Sequence, residues 1–189
     1  AHEMQWSLGG SEMCIRDSSR GLEYDIETKQ TEILKEQEIP SGFDSSKYTV
    51  KREWVKARDG EMVPITILYN KELFDREGNN SLYLYGYGSY GYSIPLSFRA
   101  TIYSLIDRGF VYVLAGIRGG DDLGEDWHNK AKFTNKKKTF FDFIDVADYL
   151  VENKYTKSGE ITIGGGSAGG MLVGYCLNNR PELYKSAIM

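Results

Sequence analysis

Ser167 stands in the run Gly164-Gly165-Gly166-Ser167-Ala168-Gly169-Gly170, which contains Gly-x-Ser-x-Gly. A serine hydroxyl at the tip of a sharp turn is the arrangement of an acyl-transfer nucleophile when a strand leads into the turn and a helix leads out. The glycines have a steric reason: the serine takes unfavourable dihedrals, and side chains two residues to either side would collide. A helix beginning at Ala168 aims its N-terminal N–H groups at the place where negative charge develops, and the Ala168 N–H suits an oxyanion donor. Two other uses of such a run stay open, a turn that merely packs a helix close to a strand and a phosphate cradle. A Walker loop is excluded, because no Gly-Lys-Ser/Thr follows. The glycine spacing also departs from a dinucleotide fingerprint, for which no downstream acidic residue can be placed.

A serine nucleophile needs a base. Where the serine sits on this kind of turn, its partners follow in the order Asp or Glu, then His. The sequence holds two histidines, His2 and His128, and both precede Ser167. That order excludes His128 as the base, and the histidine beside Trp127 reads as structural. The expectation is a triad incomplete within these residues and a chain close to inactive by itself.

The elements that must position Ser167 follow from periodicity. Residues 160–164 read as a strand and 168–179 as a helix, the context the motif requires. Upstream, Phe98, Ile102, Leu105 and Ile106 recur at helical spacing until Gly109, and 110–115 is a continuous apolar run suited to a strand buried on both faces. Thr139-Phe140-Phe141-Asp142 has the Thr-x-x-Asp form of a helix start. Behind it Phe140, Phe143, Ile144, Ala147, Leu150 and Val151 make one apolar face. With 81–85 as a further strand, the order β-α-β-α-β-α calls for a parallel sheet with helices on both faces. Ahead of it, 50–58 and 62–69 alternate around Asp59-Gly60, a two-residue hairpin signal. Residues 71–80 read as a surface loop. Residues 21–39 resemble one or two edge strands of an all-β unit, and Pro40-Ser41-Gly42 is a break and a domain boundary.

Composition narrows the classes. The 189 residues are 41% hydrophobic and 26% charged, which excludes a disordered, collagenous or disulfide-scaffold chain. A net charge of −4 gives no field for nucleic acid or anionic lipid, so neither is expected as a partner. No apolar stretch is long enough to cross a bilayer and the opening lacks a signal-peptide layout, so the reading is cytoplasmic, with the periplasm as the alternative. Cys14 and Cys176 lack a metal or redox spacing, and neither a metal nor a cofactor is expected. Residues 1–19 are aperiodic, and 11–18 resemble translated adapter read-through, so that segment is set aside as non-native. The chain stops at Met189 within an apolar run that begins a strand, and an internal fragment is expected. Lys130, Lys132, Lys136, Lys137 and Lys138 read as a solvated basic loop, and Arg118 with Asp121-Asp122 as a salt-bridged one.

Several motifs in order point to one family. Tyr85-Gly86-Tyr87-Gly88-Ser89-Tyr90-Gly91, Asp107-Arg108-Gly109-Phe110, Ile117-Arg118-Gly119-Gly120 with Gly124-Glu125-Asp126-Trp127-His128, the serine turn, and Asn179-Arg180-Pro181-Glu182-Leu183 resemble the prolyl oligopeptidase family of serine peptidases, its oligopeptidase B branch in particular. The resemblance implies an α/β protein with the α/β-hydrolase fold, a mostly parallel, doubly wound sheet. Residues 40–189 would be the first part of the catalytic domain, truncated at its C-terminus. Residues 20–39 would be the remnant of a β-propeller that admits only short peptides. Ser167 would be the nucleophile of a serine-type oligopeptidase, the Tyr87 hydroxyl would join the Ala168 N–H in the oxyanion hole, and Tyr90 would sit near the substrate pocket. The Asp and His of the triad would lie beyond Met189. Basic-preferring members often carry acidic residues where this chain has Pro95 and Ser97, so cleavage after Lys or Arg and cleavage after proline both stay open. Short peptides are the expected partners and no cofactor is needed. The other readings are an ester or acyl hydrolase sharing Ser167, and a non-catalytic fragment.

Overall fold

The computed structural model describes residues 15–16, 20–40 and 42–189. The expected non-native segment 1–19, with His2 and Cys14, lies outside them except for Ile15 and Arg16. The strands are β1 (Arg20–Tyr24), β2 (Thr31–Glu36), β3 (Tyr48–Lys56), β4 (Met62–Asn70), β5 (Leu82–Gly86), β6 (Val111–Ala115), β7 (Ile161–Gly164) and β8 (Tyr184–Ile188). The helices are α1 (Ala100–Ile106), α2 (Glu125–Asn129), α3 (Lys137–Glu152) and α4 (Ala168–Asn179). β1 and β2 form a separate antiparallel pair, exposed along its length.

The other six strands make one sheet in the order β3-β4-β6-β5-β7-β8. β3 with β4 and β4 with β6 run antiparallel, whereas β6, β5, β7 and β8 run parallel. The parallel part is the α/β arrangement expected from the alternation of elements. β5 lies between β6 and β7, so the chain leaves β5 to one side and later crosses to the other. Such a switch point opens a crevice outside the carboxyl ends of the two strands, where ligands of open α/β sheets bind.

Period-two alternation divides the sheet between two cores. Ile65, Ile67, Leu82, Leu84, Val111, Val113 and Ile163 face α3 and α4, where Phe143, Ile144, Leu150, Leu172 and Val173 pack on them. Leu68, Tyr112 and Leu114 face the other way, against Tyr103 and Ile106 of α1, with Ile15 beside them. β6 is thus buried on both faces, as its unbroken apolar run demands.

Two local expectations are corrected. The β3–β4 hairpin turns through three residues rather than two: Gly60 N–H donates to the Ala57 carbonyl and Ala57 N–H to the Glu61 carbonyl, both at 2.8 Å. Gly60 has φ 91°, so the tight turn ends in a left-handed glycine. Thr139 and Asp142 do not cap α3, which begins at Lys137. The Thr139 hydroxyl instead donates to the Arg118 carbonyl at 2.8 Å, and the Asp142 carboxylate accepts from Arg118. The same residue types satisfy a distant loop instead of their own helix end.

Candidate active site

The two parallel neighbours β5 and β7 end side by side, with Tyr85 paired to Gly164. Whatever follows each strand therefore meets the other at one rim of the sheet. Tyr87 follows β5 and Ser167 follows β7.

Ser167 has φ 55° and ψ −118°, a combination that L-residues rarely adopt. Its side chain is exposed at the tip of the turn. The flanking glycines are compelled by contact. A Cβ on Gly165 would lie 2.6 Å from the Gly169 carbonyl oxygen, and one on Gly164 would lie 2.1 Å from the Tyr83 hydroxyl. Gly166 has open space around it, so the third glycine of the run has no such steric reason. Gly169 N–H donates to the Gly166 carbonyl at 2.8 Å and Gly170 N–H to Ser167 at 2.9 Å, which starts α4 immediately after the serine. As the first residue of that helix, Ala168 has an N–H with no intrahelical acceptor.

Tyr87 borders the same helix start: a Cβ on Gly169 would sit 3.7 Å from the Tyr87 ring. Its ring meets Tyr92 edge-on with centroids 5.8 Å apart. The loop that carries it bends through positive φ at Gly88, Tyr90 and Gly91. Two braces hold the loop. Lys136 donates to the Gly88 carbonyl at 2.5 Å and to the Ser89 hydroxyl at 2.7 Å. Gly91 N–H donates to the Gly119 carbonyl at 3.0 Å, an acceptor that also takes His128 Nδ1–H at 2.8 Å. Lys136 is therefore not part of a solvated loop, and burial pushes its ammonium pKa down. His128 sits on α2 as an anchor for this loop, in keeping with its reading as structural.

Arg118 holds the segment that supplies Gly119. Its guanidinium is 1% exposed and bonds Asp142 at 2.5 and 2.8 Å and Asp59 at 2.6 and 3.0 Å. The salt-bridged loop is real, with partners other than the neighbouring Asp121 and Asp122. Asp121 accepts from the Ser93 hydroxyl. Burial pushes the Asp122 carboxyl up to about 6. A carboxyl raised on folding favours the folded state below its unfolded pKa and loses that stabilisation as pH rises through about 6. Asp122→Asn is accordingly expected to melt no lower than the parent at pH ~8, with its relative standing worse at pH ~4, read by thermal scans at both.

Tyr90 is 80% exposed and lines a cleft of about 470 Å³ of which Ala168 forms another wall. Ser167, Ala168, Tyr87 and Tyr90 thus gather at one rim of the sheet. Among the described residues no group of three or more His, Cys, Asp or Glu side chains is placed to hold a metal ion. Among them, too, no helix is long and apolar enough to cross a membrane.

A mostly parallel sheet with a strained serine between a strand and the helix that follows it defines an α/β-hydrolase. The sequence model of the prolyl oligopeptidase family matches residues 96–189. Dipeptidyl aminopeptidase BI of Pseudoxanthomonas mexicana is 47% identical over 165 residues, covering 86% of this chain and 22% of that protein. Prolyl endopeptidase of Dictyostelium discoideum is 36% identical over 174 residues, 90% of this chain and 23% of the relative. Among solved structures, oligopeptidase B from Trypanosoma brucei with covalently bound antipain superposes with a TM-score of 0.85 at 35% identity, covering 92% of this chain and 24% of the other. The chain belongs to the prolyl oligopeptidase family. It spans about a quarter of the length of the curated relatives it matches.

Proposed function

We propose that residues 40–189 form the first part of the catalytic domain of a serine peptidase that cleaves short peptides, with 20–39 the end of a preceding β-propeller. The observation that carries the reading is the strained, exposed Ser167 at the end of β7, beside the tyrosine that follows β5. Ser167 Oγ attacks the peptide carbonyl carbon, and the carbonyl oxygen takes up the negative charge. The Ala168 N–H and the Tyr87 hydroxyl donate to that oxygen. Collapse of the tetrahedral species breaks the C–N bond, releases the amine and leaves an acyl-enzyme on Ser167, which water then hydrolyses. The base that takes the serine proton and gives it to the amine is a histidine, oriented by an aspartate, supplied by sequence beyond Met189. By itself the present stretch is then close to inactive. Tyr90 borders the substrate.

A fluorophosphonate probe applied to the intact protein that carries this chain is expected to form one adduct, mapped by peptide mass to Ser167. An adduct on another residue, or none, overturns the assignment. Turnover of short peptide amides, and not only of simple acyl esters, separates a peptidase from an esterase, since an amine leaving group must also be protonated. Tyr87→Phe is expected to lower kcat by about 10²–10³ with KM little changed, because a donor that acts on developing charge is missed only in the transition state.

A further inference from the structure

The cleft beside Ala168 has a charge pattern that the hydrolytic chemistry leaves unused. Among the described residues its ionisable lining groups are Lys132, Lys136, His128 and Tyr90, with no carboxylate among them. Lys130, two residues before Lys132, pairs with Glu61 at 2.7 Å. Among the described residues neither Lys132 nor Lys136 has a carboxylate partner in an ion pair.

Lys136 is the more telling of the two. Its ammonium is half-buried and held in place by two neutral acceptors, the Gly88 carbonyl and the Ser89 hydroxyl. An ammonium has three donors, so one remains, and a partly desolvated cation without a counterion favours any anion that reaches it. Burial lowers its pKa. Tyr90 and the 85% exposed Phe133 give the cleft apolar walls for the body of a residue that carries such an anion.

We infer that this cleft binds a carboxylate of the peptide substrate, with Lys132 and Lys136 as its counterions. The inference rests on the peptidase reading and adds a substrate preference to it. The carboxylate is either the peptide's C-terminus or an Asp or Glu side chain.

The test uses the intact protein and three matched short peptides: one with a free C-terminus, one amidated, and one amidated with an added Asp. The free acid is expected to have a KM about tenfold below that of the amide at similar kcat, the scale of one charge-assisted hydrogen bond. Lys132→Met is expected to shrink the preference to the part that Lys136 supplies. Lys137→Met removes the same charge from an exposed position outside the cleft and is expected to keep it. A low KM for the free acid alone makes the terminus the source, one for the Asp peptide alone makes it a side chain, and one for both means that the cleft takes either carboxylate. Should Lys132→Met fail to fold, the preference of the parent must shrink as salt is raised. Equal KM values for all three peptides, or a preference undiminished in Lys132→Met, overturn the inference. Those results leave the peptidase reading standing, whereas peptide turnover that persists in Ser167→Ala removes the reading itself.

Discussion

Replacing Ser167 by alanine in the intact protein is expected to lower peptide turnover by about 10⁶-fold and to abolish fluorophosphonate labelling. On the proposed peptidase reading the loss is larger than for any other side chain here, because without the Oγ no acyl-enzyme forms and the base has nothing to activate. What survives is the rate enhancement of about 10³–10⁴ over water that binding and the oxyanion donors supply alone. The substitution removes one exposed atom at the tip of a turn, so folding is expected to be unchanged. Ser167→Gly sharpens the experiment. With φ 55° and ψ −118°, the serine occupies a region in which glycine is at ease, and the strain at such a residue is about 1–3 kcal/mol. The glycine variant is expected to be as inactive as the alanine one and to melt higher than either. Kinetics on a chromogenic peptide and a thermal scan read both effects. Retained turnover would place the nucleophile elsewhere, and a glycine variant of unaltered stability would show that the turn carries no strain.

Arg118→Met is expected to be the most destabilising of the substitutions considered, by about 3–5 kcal/mol. Asp142 is 0% exposed and its carboxylate takes three hydrogen bonds from Arg118, one of them from the backbone N–H. Without the guanidinium a buried carboxylate loses its counterion, and Asp59 loses the same partner. The midpoint of urea unfolding checks the magnitude. In a double-mutant cycle, adding Asp142→Asn to Arg118→Met is expected to cost less than the sum of the two, since the charge left stranded by the first change is removed by the second. Full additivity would mean that the pair does not interact. Catalysis is expected to suffer as well, because the residue after Arg118 supplies the carbonyl that holds Gly91 and His128, and so the loop carrying Tyr87 and Tyr90.

The parts of this molecule that the sequence settles are those decided within a dozen residues. The strand, turn and helix around Ser167 are legible because the Gly165 and Gly169 backbones approach each other within one turn of chain. β6 is legible because a strand covered on both faces has no polar alternation, and the buried stripe of α3 because its period is helical. The parallel order follows from elements that alternate. The Thr-x-x-Asp of α3 misled for the opposite reason: Thr139 and Asp142 are chemically fit to cap a helix, and nothing nearby in the chain says that they serve Arg118 instead. Lys136 looked like one solvated lysine among five for the same cause. Tyr87 was singled out only through the family's ordered motifs, since a tyrosine after a strand carries no catalytic signal by its spacing. What sets it beside Ser167 is the register that pairs Tyr85 with Gly164 across β5 and β7. Hydrogen bonds between distant segments have no local energetic preference for one partner over another. They are chosen only when the sheet order β6-β5-β7 brings three strand ends to the same rim, where each buried donor must find its acceptor.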